Sequence, residues 1–339
     1  MLWIEDYDED DLNFDPNRIN RCCGSDTTKT HTVTTTVTGL RPGTHNINIE
    51  LEVESNDGTD EDDCAEDFDV TVSAPPPWWQ VINGSVISRG NIISRIPTAS
   101  GSSTFGCIPP VCNPYLITYT PGNTEGIAVY GPGSSYDFAS DDTRGRVSQK
   151  GWLAQTAVSS QPYNYQTALS LVGSDVTWQP PSNNLDAGTP GSDGVIWYSA
   201  PNGFTISSAQ TIAKRVVLFV DGNININSPI RVPNKHSGFF MVIARGNINI
   251  GSNVGGSVVG TADLEGIYLA NGTLNTNSGT LPLQFRGSVA ALGGYNLRRD
   301  LQGGNANRPA ESFRYEPAFL LNYPKRLIKD KFIWREVAP

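Results

Sequence analysis

The sequence predicts an all-β protein in two parts, a small β-domain followed by a parallel β-solenoid that carries a large insertion. Three observations support this fold class. Residues 221–226, 245–250 and 271–276 read DGNINI, RGNINI and NGTLNT, and each segment follows an apolar run. The chain holds 34 glycines and 23 prolines, which is typical of a turn-rich β-protein. Helical periodicity is weak and confined to residues 318–331.

The repeat sets the expected packing of the solenoid. Its glycines, Gly222, Gly246 and Gly272, lie 24 (246 − 222) and 26 (272 − 246) residues apart, about one coil. Because side chains alternate between the two faces of a strand, isoleucine should point inward and asparagine outward. We expect one buried column of Ile224, Ile226, Ile248, Ile250 and Leu274, with Asn223, Asn225, Asn247 and Asn249 on the opposite face. An antiparallel sandwich also alternates, but the recurrence of GNINI favours stacked coils.

Weaker copies of the repeat and changes of composition divide the rest of the solenoid. NGSVI at 83–87 and RGNII at 89–93 predict a first coil within residues 75–97, which open with a stiff proline hinge. Residues 98–190 are rich in Gly, Ser, Pro and Thr, and we expect them to form an insertion before a main stack at 191–297. Residues 298–339 are then expected to cap the stack.

The N-terminal region differs from the rest in charge. Residues 1–74 carry 19 acidic and 4 basic residues, a net charge of −15, whereas the remainder carries 15 (34 − 19) and 20 (24 − 4), a net charge of +5. We interpret residues 1–27 as an acidic linker. Because phosphate would be repelled, nucleic acid is excluded as a partner of this region.

Residues 28–74 contain strand signals. The turn LRPGT at 40–44 precedes an alternating strand at 45–53, and FDVTV at 68–72 follows an acidic loop. A further β-branched run occupies 30–38. This order resembles the C-terminal half of bacterial Ig-like domains, which implies a partial β-sandwich.

Four of the five cysteines are candidates for disulfides. Cys107 and Cys112 bracket Ile-Pro-Pro-Val, and Cys64 is expected to pair with Cys23 or with its neighbour Cys22. Metal binding is the alternative, but the chain has no Cys-x-x-Cys pair and its histidines are scattered. Disulfides would indicate an extracytoplasmic location.

An acidic loop is the candidate metal site. Asp57, Asp60 and Asp62 lie in NDGTDEDD at 56–63, where carboxylates surround a glycine as a Ca²⁺ loop requires. The run lacks the EF-hand pattern, and a solvated charged loop is the alternative. We predict no other cofactor.

Trp78 and Trp79 directly follow the prolines. Two adjacent indoles are typical of a stacking platform for a carbohydrate. The alternative is that they plug the open end of the solenoid core.

The possibility of catalysis depends on a few titratable residues of the main stack. Polysaccharide hydrolysis needs two carboxylates. Asp263 and Glu265 would lie about 7 Å apart on one strand face, at ~3.3 Å per residue. Lys235, His236 and Arg245 are expected one coil away, so Lys235 or Arg245 with Asp263 forms the enzymatic hypothesis. We favour turn and surface roles for these residues, because phosphate loops, nucleotide fingerprints and nucleophile elbows are all missing from the sequence.

Several motifs within residues 76–339 together resemble a known module. They are PWW at 77–79, GSVI at 84–87, VDGNINI at 220–226, RDL at 299–301, PAESFRY at 309–315 and WREVAP at 334–339. They are similar to the C-terminal parallel β-helix module of large Ig-like-repeat surface proteins from uncultured bacteria. A more distant similarity is to polymer-forming scaffolds of the bactofilin type, from which the chain departs by its insertion and its cysteines. The resemblance implies a solenoid and supplies no catalytic residues.

These expectations combine into a functional hypothesis. We expect a non-catalytic structural or adhesive protein, extracellular or at the cell surface. No signal peptide precedes the acidic start, so the protein is either cytoplasmic or a piece of a longer precursor. We favour the precursor, because the first 70 residues look like the end of a domain. Its expected partners are other surface proteins, glycans or further copies of the chain. The alternative is a β-helix protein that binds or cleaves carbohydrate. The sequence offers no run of about 20 apolar residues that would span a bilayer.

Overall fold

The computed structural model describes residues 2–4, 43–54, 61–72, 76–96, 115–118, 126–138, 147–148, 151–157, 163–256, 261–306 and 308–328. The chain separates into two compact units, one of residues 1–75 with 101–106 and one of residues 76–100 with 107–339. The division falls in the proline-rich stretch at 75–77.

The first unit contains an antiparallel sheet in the order β1-β2-β3, made of β1 (Leu2–Ile4), β2 (Gly43–Glu54) and β3 (Glu61–Val72). The predicted runs at 45–53 and 68–72 lie in β2 and β3. Asp62 and Cys64 belong to β3, where they pair with Val53 and Leu51 of β2. One sheet does not establish the expected Ig-like sandwich. The predicted strand run at 30–38 lies outside the described residues. So do six residues of the predicted metal and disulfide sites: Asp57, Asp60, Cys22, Cys23, Cys107 and Cys112.

The second unit consists of short strands joined into coils. In chain order these are β4 (Trp79–Ile82), β5 (Val86–Ile87), β6 (Ile92–Ile93), β7 (Ile117–Thr118), β8 (Ile127–Tyr130), β9 (Tyr136–Asp137), β10 (Trp152–Gln155), β11 (Val195–Ala200), β12 (Phe204–Ile206), β13 (Gln210–Thr211), β14 (Arg215–Val220), β15 (Ile224–Ile226), β16 (Ile230–Arg231), β17 (Phe239–Ala244), β18 (Ile248–Ile250), β19 (Leu264–Ala270), β20 (Thr273–Asn275), β21 (Leu283–Ala291), β22 (Gly294–Asn296) and β23 (Glu311–Arg314). The elements named in the described part of this unit also include two helices, α1 (Tyr165–Val172) and α2 (Ala318–Leu321), and three 3-10 turns at Leu185–Ala187, Gln302–Ala306 and Lys325–Leu327. The pairings between these strands are parallel, which confirms the β-solenoid and contradicts the antiparallel alternative.

A sheet in the order β11-β14-β17-β19-β21-β23-β4-β7, which we call the main sheet, covers two sides of the solenoid. On one side, β17 pairs with the C-terminal part of β19, and on the other, β16 pairs with Leu264 of β19 and β23 pairs with the N-terminal part of β21. All six residues of β17 are buried, because one face fills the coil interior and the other is covered. The ring of Tyr165 in α1 lies 5.6 Å from that of Phe219. Phe319 in α2 lies 6.4 Å from Phe239. The helices explain why main-sheet strands are continuous apolar runs rather than alternating ones.

Another side is the sheet β12-β15-β18-β20-β22, which we call the asparagine sheet. Its strands follow the expected alternation, with Asn225, Asn249 and Asn275 in register between inward residues. The predicted interior column is confirmed, because these five side chains are each 0% exposed: Ile224, Ile226, Ile248, Ile250 and Leu274. At the corner of each coil, Asn223 is exposed and Asn247 is half-buried.

β19 and β21 are longer because each runs over two sides of the solenoid and bends between them at a glycine. Gly266 and Gly287 pair with one another at this bend, with φ values of 131° and 137°. A β-carbon on Gly287 would collide with the carbonyl oxygen of Gly266. The bend therefore requires glycine in both its conformation and its space.

The coils do not stack in sequence order. β4, the first strand of the unit, pairs with β23, the last, from Trp79–Glu311 to Ile82–Arg314. We call this contact the seam. β7 pairs with β4 on its other side, and β5, β8 and β10 form a further sheet in the order β10-β8-β5. The chain thus starts inside the stack, winds to one end, returns through α1 and winds back from β11.

The seam corrects two expectations from the sequence. Part of the segment 98–190, expected as an insertion, forms the coils that contain β7 to β10. The segment 298–339, expected as a cap, contains β23, which lies inside the stack. Repeats reveal which segments form coils. The order of coils depends instead on which strand edges meet, and β23 offers an outer edge that the apolar strand WQVI can pair with.

Candidate functional site

A ladder of asparagine amides runs across the outer face of the asparagine sheet. Asn249 Nδ2 donates to Asn225 Oδ1 at 3.0 Å, and Asn275 Nδ2 donates to Asn249 Oδ1 at 2.7 Å. Asn225 Nδ2 lies 3.5 Å from the hydroxyl oxygen of Thr205. The register brings equivalent side chains to each strand position, so one amide can bond the next along the stack. The result is a flat polar surface.

A second ladder lies at the corner between the main sheet and the asparagine sheet. Asn223 Oδ1 accepts the backbone N–H of Asn247 at 2.8 Å, and Asn247 Oδ1 accepts that of Thr273 at 2.8 Å. Gly246 and Gly272 keep the corner narrow, since a β-carbon at either would collide with the asparagine oxygen before it. This ladder fixes the turn of each coil.

Glu265 lies at the centre of a buried ion cluster. Its side chain is 7% exposed, and Lys235 Nζ and Arg286 Nη1 lie 3.1 and 3.3 Å from Oε1. Its other oxygen accepts the backbone N–H of Val232 at 2.6 Å. The structure therefore brings together Lys235 and Glu265, two of the suspected catalytic residues, as an ion pair that ties the loop before β17 to β19 and β21.

The remaining suspects lie apart from one another. Asp263 is 1% exposed, and its Oδ2 accepts the N–H of Gln284 at 2.9 Å. Arg245 pairs with Asp221 at 3.1 Å on the exposed corner and not with Asp263. His236 is exposed and its backbone N–H bonds Asn234 Oδ1. The expected grouping of Arg245 with Asp263 does not occur, because Arg245 begins the corner turn whereas Asp263 precedes the bend of β19.

The two tryptophans lie at the seam rather than at the end of the stack. Trp78 is 1% exposed, and its Nε1 donates to the carbonyl oxygen of Asn305 at 2.9 Å. Trp79 Nε1 donates to the carbonyl oxygen of Ile93 at 2.6 Å, and its ring packs edge-on against Phe313 at 6.3 Å. The buried ring of Trp78 leaves no face for a sugar, so the pair does not form the stacking platform considered from the sequence.

A buried polar network supports the seam from the side of β23. Glu311, 2% exposed, accepts the hydroxyl of Thr276 at 2.8 Å and the N–H of Arg299 at 2.9 Å. The Arg299 guanidinium, also buried, donates to the carbonyl oxygens of Gly251, Ser252 and Val254. Asn305 bonds Asp300 and the N–H of Leu301.

Burial raises the pKa of Glu311 to about 7. Hydrogen bonds from Arg299 and Thr276 and the charge of Arg299 oppose this shift, since each favours the carboxylate. Burial also lowers the pKa of Arg299, against the charges of Glu311 and Asp263. The pair is a tightly packed structural contact between neighbouring coils.

A shallow polar depression of about 370 Å³ lies at the end of the stack that begins with β11. Its lining includes Asn184, Asp186, Ser208 and Gln210. These side chains also hold the end of the stack: Gln210 Oε1 accepts the N–H of Leu185, and Asp186 Oδ1 accepts that of Lys214. The depression carries one acid and no aromatic ring, so it lacks the paired carboxylates that hydrolysis needs.

Sequence reasoning missed Arg299, Glu311, Asn305 and Arg286 as members of the polar clusters. Arg299 and Glu311 lie in the motifs RDL and PAESFRY, but nothing in a single sequence separates a buried Glu from a surface one. Among the described residues, no three His, Cys, Asp or Glu side chains group as metal ligands. None of the helices in the described part of the chain has the length and hydropathy of a membrane span. Comparison of the chain with family models, with curated proteins and with solved structures finds no match in any of the three.

Proposed function

We propose that this chain is a non-catalytic structural or adhesive protein of the cell surface, in which the solenoid is a rigid support and the asparagine sheet is a contact face. The proposal rests mainly on one observation: the buried carboxylates of the stack are bound by cations or by backbone N–H groups of neighbouring coils. Glu265 is held by two cations and one backbone N–H, and Asp263 by the backbone of β21. Such groups stabilise coils rather than face a substrate.

The asparagine sheet supports the adhesive part of the proposal. Its outward amides repeat at the spacing of parallel strands, about 4.8 Å. Each amide retains donor and acceptor capacity beyond its bonds within the ladder. A flat, rigid array of this kind suits repeated hydrogen bonding to a polymer or a second surface. The surface location and the partners rest on the Ig-like resemblance and the predicted disulfides.

A polysaccharide panel tests the proposal against its enzymatic alternative. The full chain is incubated with acidic and neutral polysaccharides, and released sugar and retention in affinity gels are both measured. We expect no release, and any retention should be lost in the variant Asn225→Ala/Asn249→Ala/Asn275→Ala. The matched control is Asn277→Ala, an exposed residue beyond the ladder.

Release of product would contradict the proposal. Release that disappears in Glu265→Gln, with a wild-type circular dichroism spectrum, would assign catalysis to the ion cluster. Lys235→Met, which keeps the aliphatic stem, tests the cationic partner in the same way.

A further inference from the structure

A column of charged side chains crosses one outer side of the solenoid. The register places Arg231 of β16 beside Glu265 of β19, and Glu265 beside Arg286 of β21. It then places Arg286 beside Arg314 of β23. The charges along the column therefore read positive, negative, positive and again positive. The alternation ends in two neighbouring arginines.

Arg286 and Arg314 both point away from the interior. Phe285 and Phe313, the residues before them, stack inside the coil with ring centroids 5.0 Å apart, and successive side chains of a strand point to opposite faces. Neighbouring strands lie about 4.8 Å apart, so the two cationic side chains start that close together. Like charges directly opposite one another destabilise a sheet. The fold therefore tolerates a repulsion that a bound anion would relieve.

Glu265 does not relieve this repulsion. Its Oε1 lies 3.3 Å from Arg286 Nη1 and 3.1 Å from Lys235 Nζ. Its Oε2 accepts the N–H of Val232 at 2.6 Å. Glu265 belongs to β19, which pairs with β21 on the side opposite β23. Arg314 therefore lies two strands away from a carboxylate that other groups already hold.

The Arg314 guanidinium has no partner in the described part of the chain. The residue is half-buried, and its side chain makes neither a hydrogen bond nor an ion pair there. The acid two residues further along, Glu316, instead accepts the N–H of Ala318 through its Oε1. Burial lowers the pKa of Arg314, the charge of Arg286 lowers it further, and the charge of Glu316 opposes both. Because arginine stays protonated, a partly desolvated positive charge remains unpaired.

We propose that Arg286 and Arg314 form a binding site for the carboxylate of a small sugar acid. A carboxylate held between the two guanidiniums would continue the alternation of the column, as Glu265 does on the other side of Arg286. Charge-assisted hydrogen bonds from arginine to a carboxylate are short and geometrically specific. The site lies on a different side of the solenoid from the asparagine sheet. It therefore goes beyond the proposed function and is tested separately from it.

The neighbouring amide of Gln284 favours a sugar acid over a simple carboxylate. Gln284 stands two residues before Arg286 on β21, so it shares the outer face and lies roughly 7 Å away along the strand. It is half-buried, and its side chain makes no hydrogen bond within the described residues. An amide both donates and accepts hydrogen bonds, as a sugar hydroxyl does. A ligand that carries a carboxylate and ring hydroxyls, such as glucuronate, matches both groups.

Titration of the full chain with sodium glucuronate tests the proposal, with binding followed by saturation-transfer NMR of the ligand at low ionic strength. We expect Arg314→Gln to weaken binding at least about tenfold, because it removes one charge-assisted contact. The methyl ester of glucuronate, which lacks the charge, should not bind, and acetate should bind at least about tenfold more weakly. The matched control is Arg231→Gln, an exposed arginine of the same column on the far side of Glu265, which should bind like the wild type.

Unfolding in urea separates a binding role of Arg314 from a structural one. Without ligand, we expect the unfolding midpoint of Arg314→Gln to equal or exceed that of the wild type, because the repulsion from Arg286 is gone. Glucuronate should raise the midpoint of the wild type and not that of the variant. A lower midpoint for the variant without ligand would assign Arg314 to the fold and overturn the proposal.

Three binding results would also overturn the proposal. They are equal affinity of wild type and Arg314→Gln for glucuronate, equal affinity of the wild type for the methyl ester, and no detectable binding of glucuronate. Acetate bound as tightly as glucuronate would overturn the assignment to a sugar acid.

Discussion

The indole Nε1 of Trp78 donates a 2.9 Å hydrogen bond to the carbonyl oxygen of Asn305, 227 residues further along the chain. This contact joins the first coil of the solenoid unit to the turn before its last main-sheet strand. It stabilises a stack in which the spatial order of the coils differs from their order along the sequence. The seam is therefore a non-covalent joint between two series of coils.

Loss of the Trp78 side chain should destabilise the seam. The ring is 1% exposed, so we expect Trp78→Ala to lower the free energy of unfolding by about 3–5 kcal/mol. Chemical denaturation followed by circular dichroism measures this. Trp152→Ala is the matched control, because that ring is 66% exposed and should contribute less than about 0.5 kcal/mol. Similar losses for both variants would contradict the placement of Trp78 at the seam.

Glu311 should make stability depend on pH. Its folded pKa of about 7 lies above the ordinary value of 4.5, so folding favours the protonated acid. Its contribution is fully present below pH 4.5 and is lost as pH rises through about 7. Two to three pKa units correspond to about 3 kcal/mol.

The variant Glu311→Gln isolates this effect, because glutamine keeps an oxygen that can accept the bonds from Thr276 and Arg299. We expect the wild type to lose about 3 kcal/mol relative to this variant between pH 4 and pH 8. Urea unfolding at each pH gives the difference. A difference that stays constant, or that grows in favour of the wild type as pH rises, would refute the assignment.

Gly287 should tolerate no side chain. Its φ is 137°, and an added β-carbon would collide with the Gly266 carbonyl, so Gly287→Ala combines backbone strain with a backbone clash. We expect a loss of about 1–3 kcal/mol in thermal or chemical unfolding. Gly303→Ala is the control, since a β-carbon there meets nothing within 4 Å. Equal behaviour of the two variants would show that β21 does not bend at Gly287.

The interior of the asparagine sheet could be predicted because its signal is local. The alternation of Ile224, Asn225 and Ile226 directly predicts which side chains point inward. The partner of Trp79 could not be predicted in this way. Its strand pairs with residues more than two hundred positions away, and the pairing depends on the shape of two strand edges. The periodicity of the sequence does not indicate which strand pairs with β4.

The burial of the charged residues could likewise not be predicted from the sequence. The sequence suggested Lys235 or Arg245 as the partner of Asp263, whereas the structure places Lys235 beside Glu265. The burial of Glu265 and Asp263 could not be read from the sequence, because it depends on Arg286 and on backbone N–H groups brought in by other coils. Glu311 and Arg299 are buried together for the same reason.

The order of the coils is tested most directly by cross-linking. In a background with the five native cysteines replaced by serine, Ile82→Cys and Arg314→Cys occupy paired positions of β4 and β23. Neighbouring parallel strands place their Cα atoms about 4.8 Å apart, within the range of a disulfide. The comparison pair is Ile82→Cys with Thr211→Cys, since Thr211 of β13 occupies the row of Ile82 and would be adjacent to it if the coil of β4 preceded the coil of β11. We predict that mild oxidation links 82 to 314 and not 82 to 211, as read by mass spectrometry of the digest. A link between 82 and 211, or no link between 82 and 314 in the folded chain, would contradict the seam.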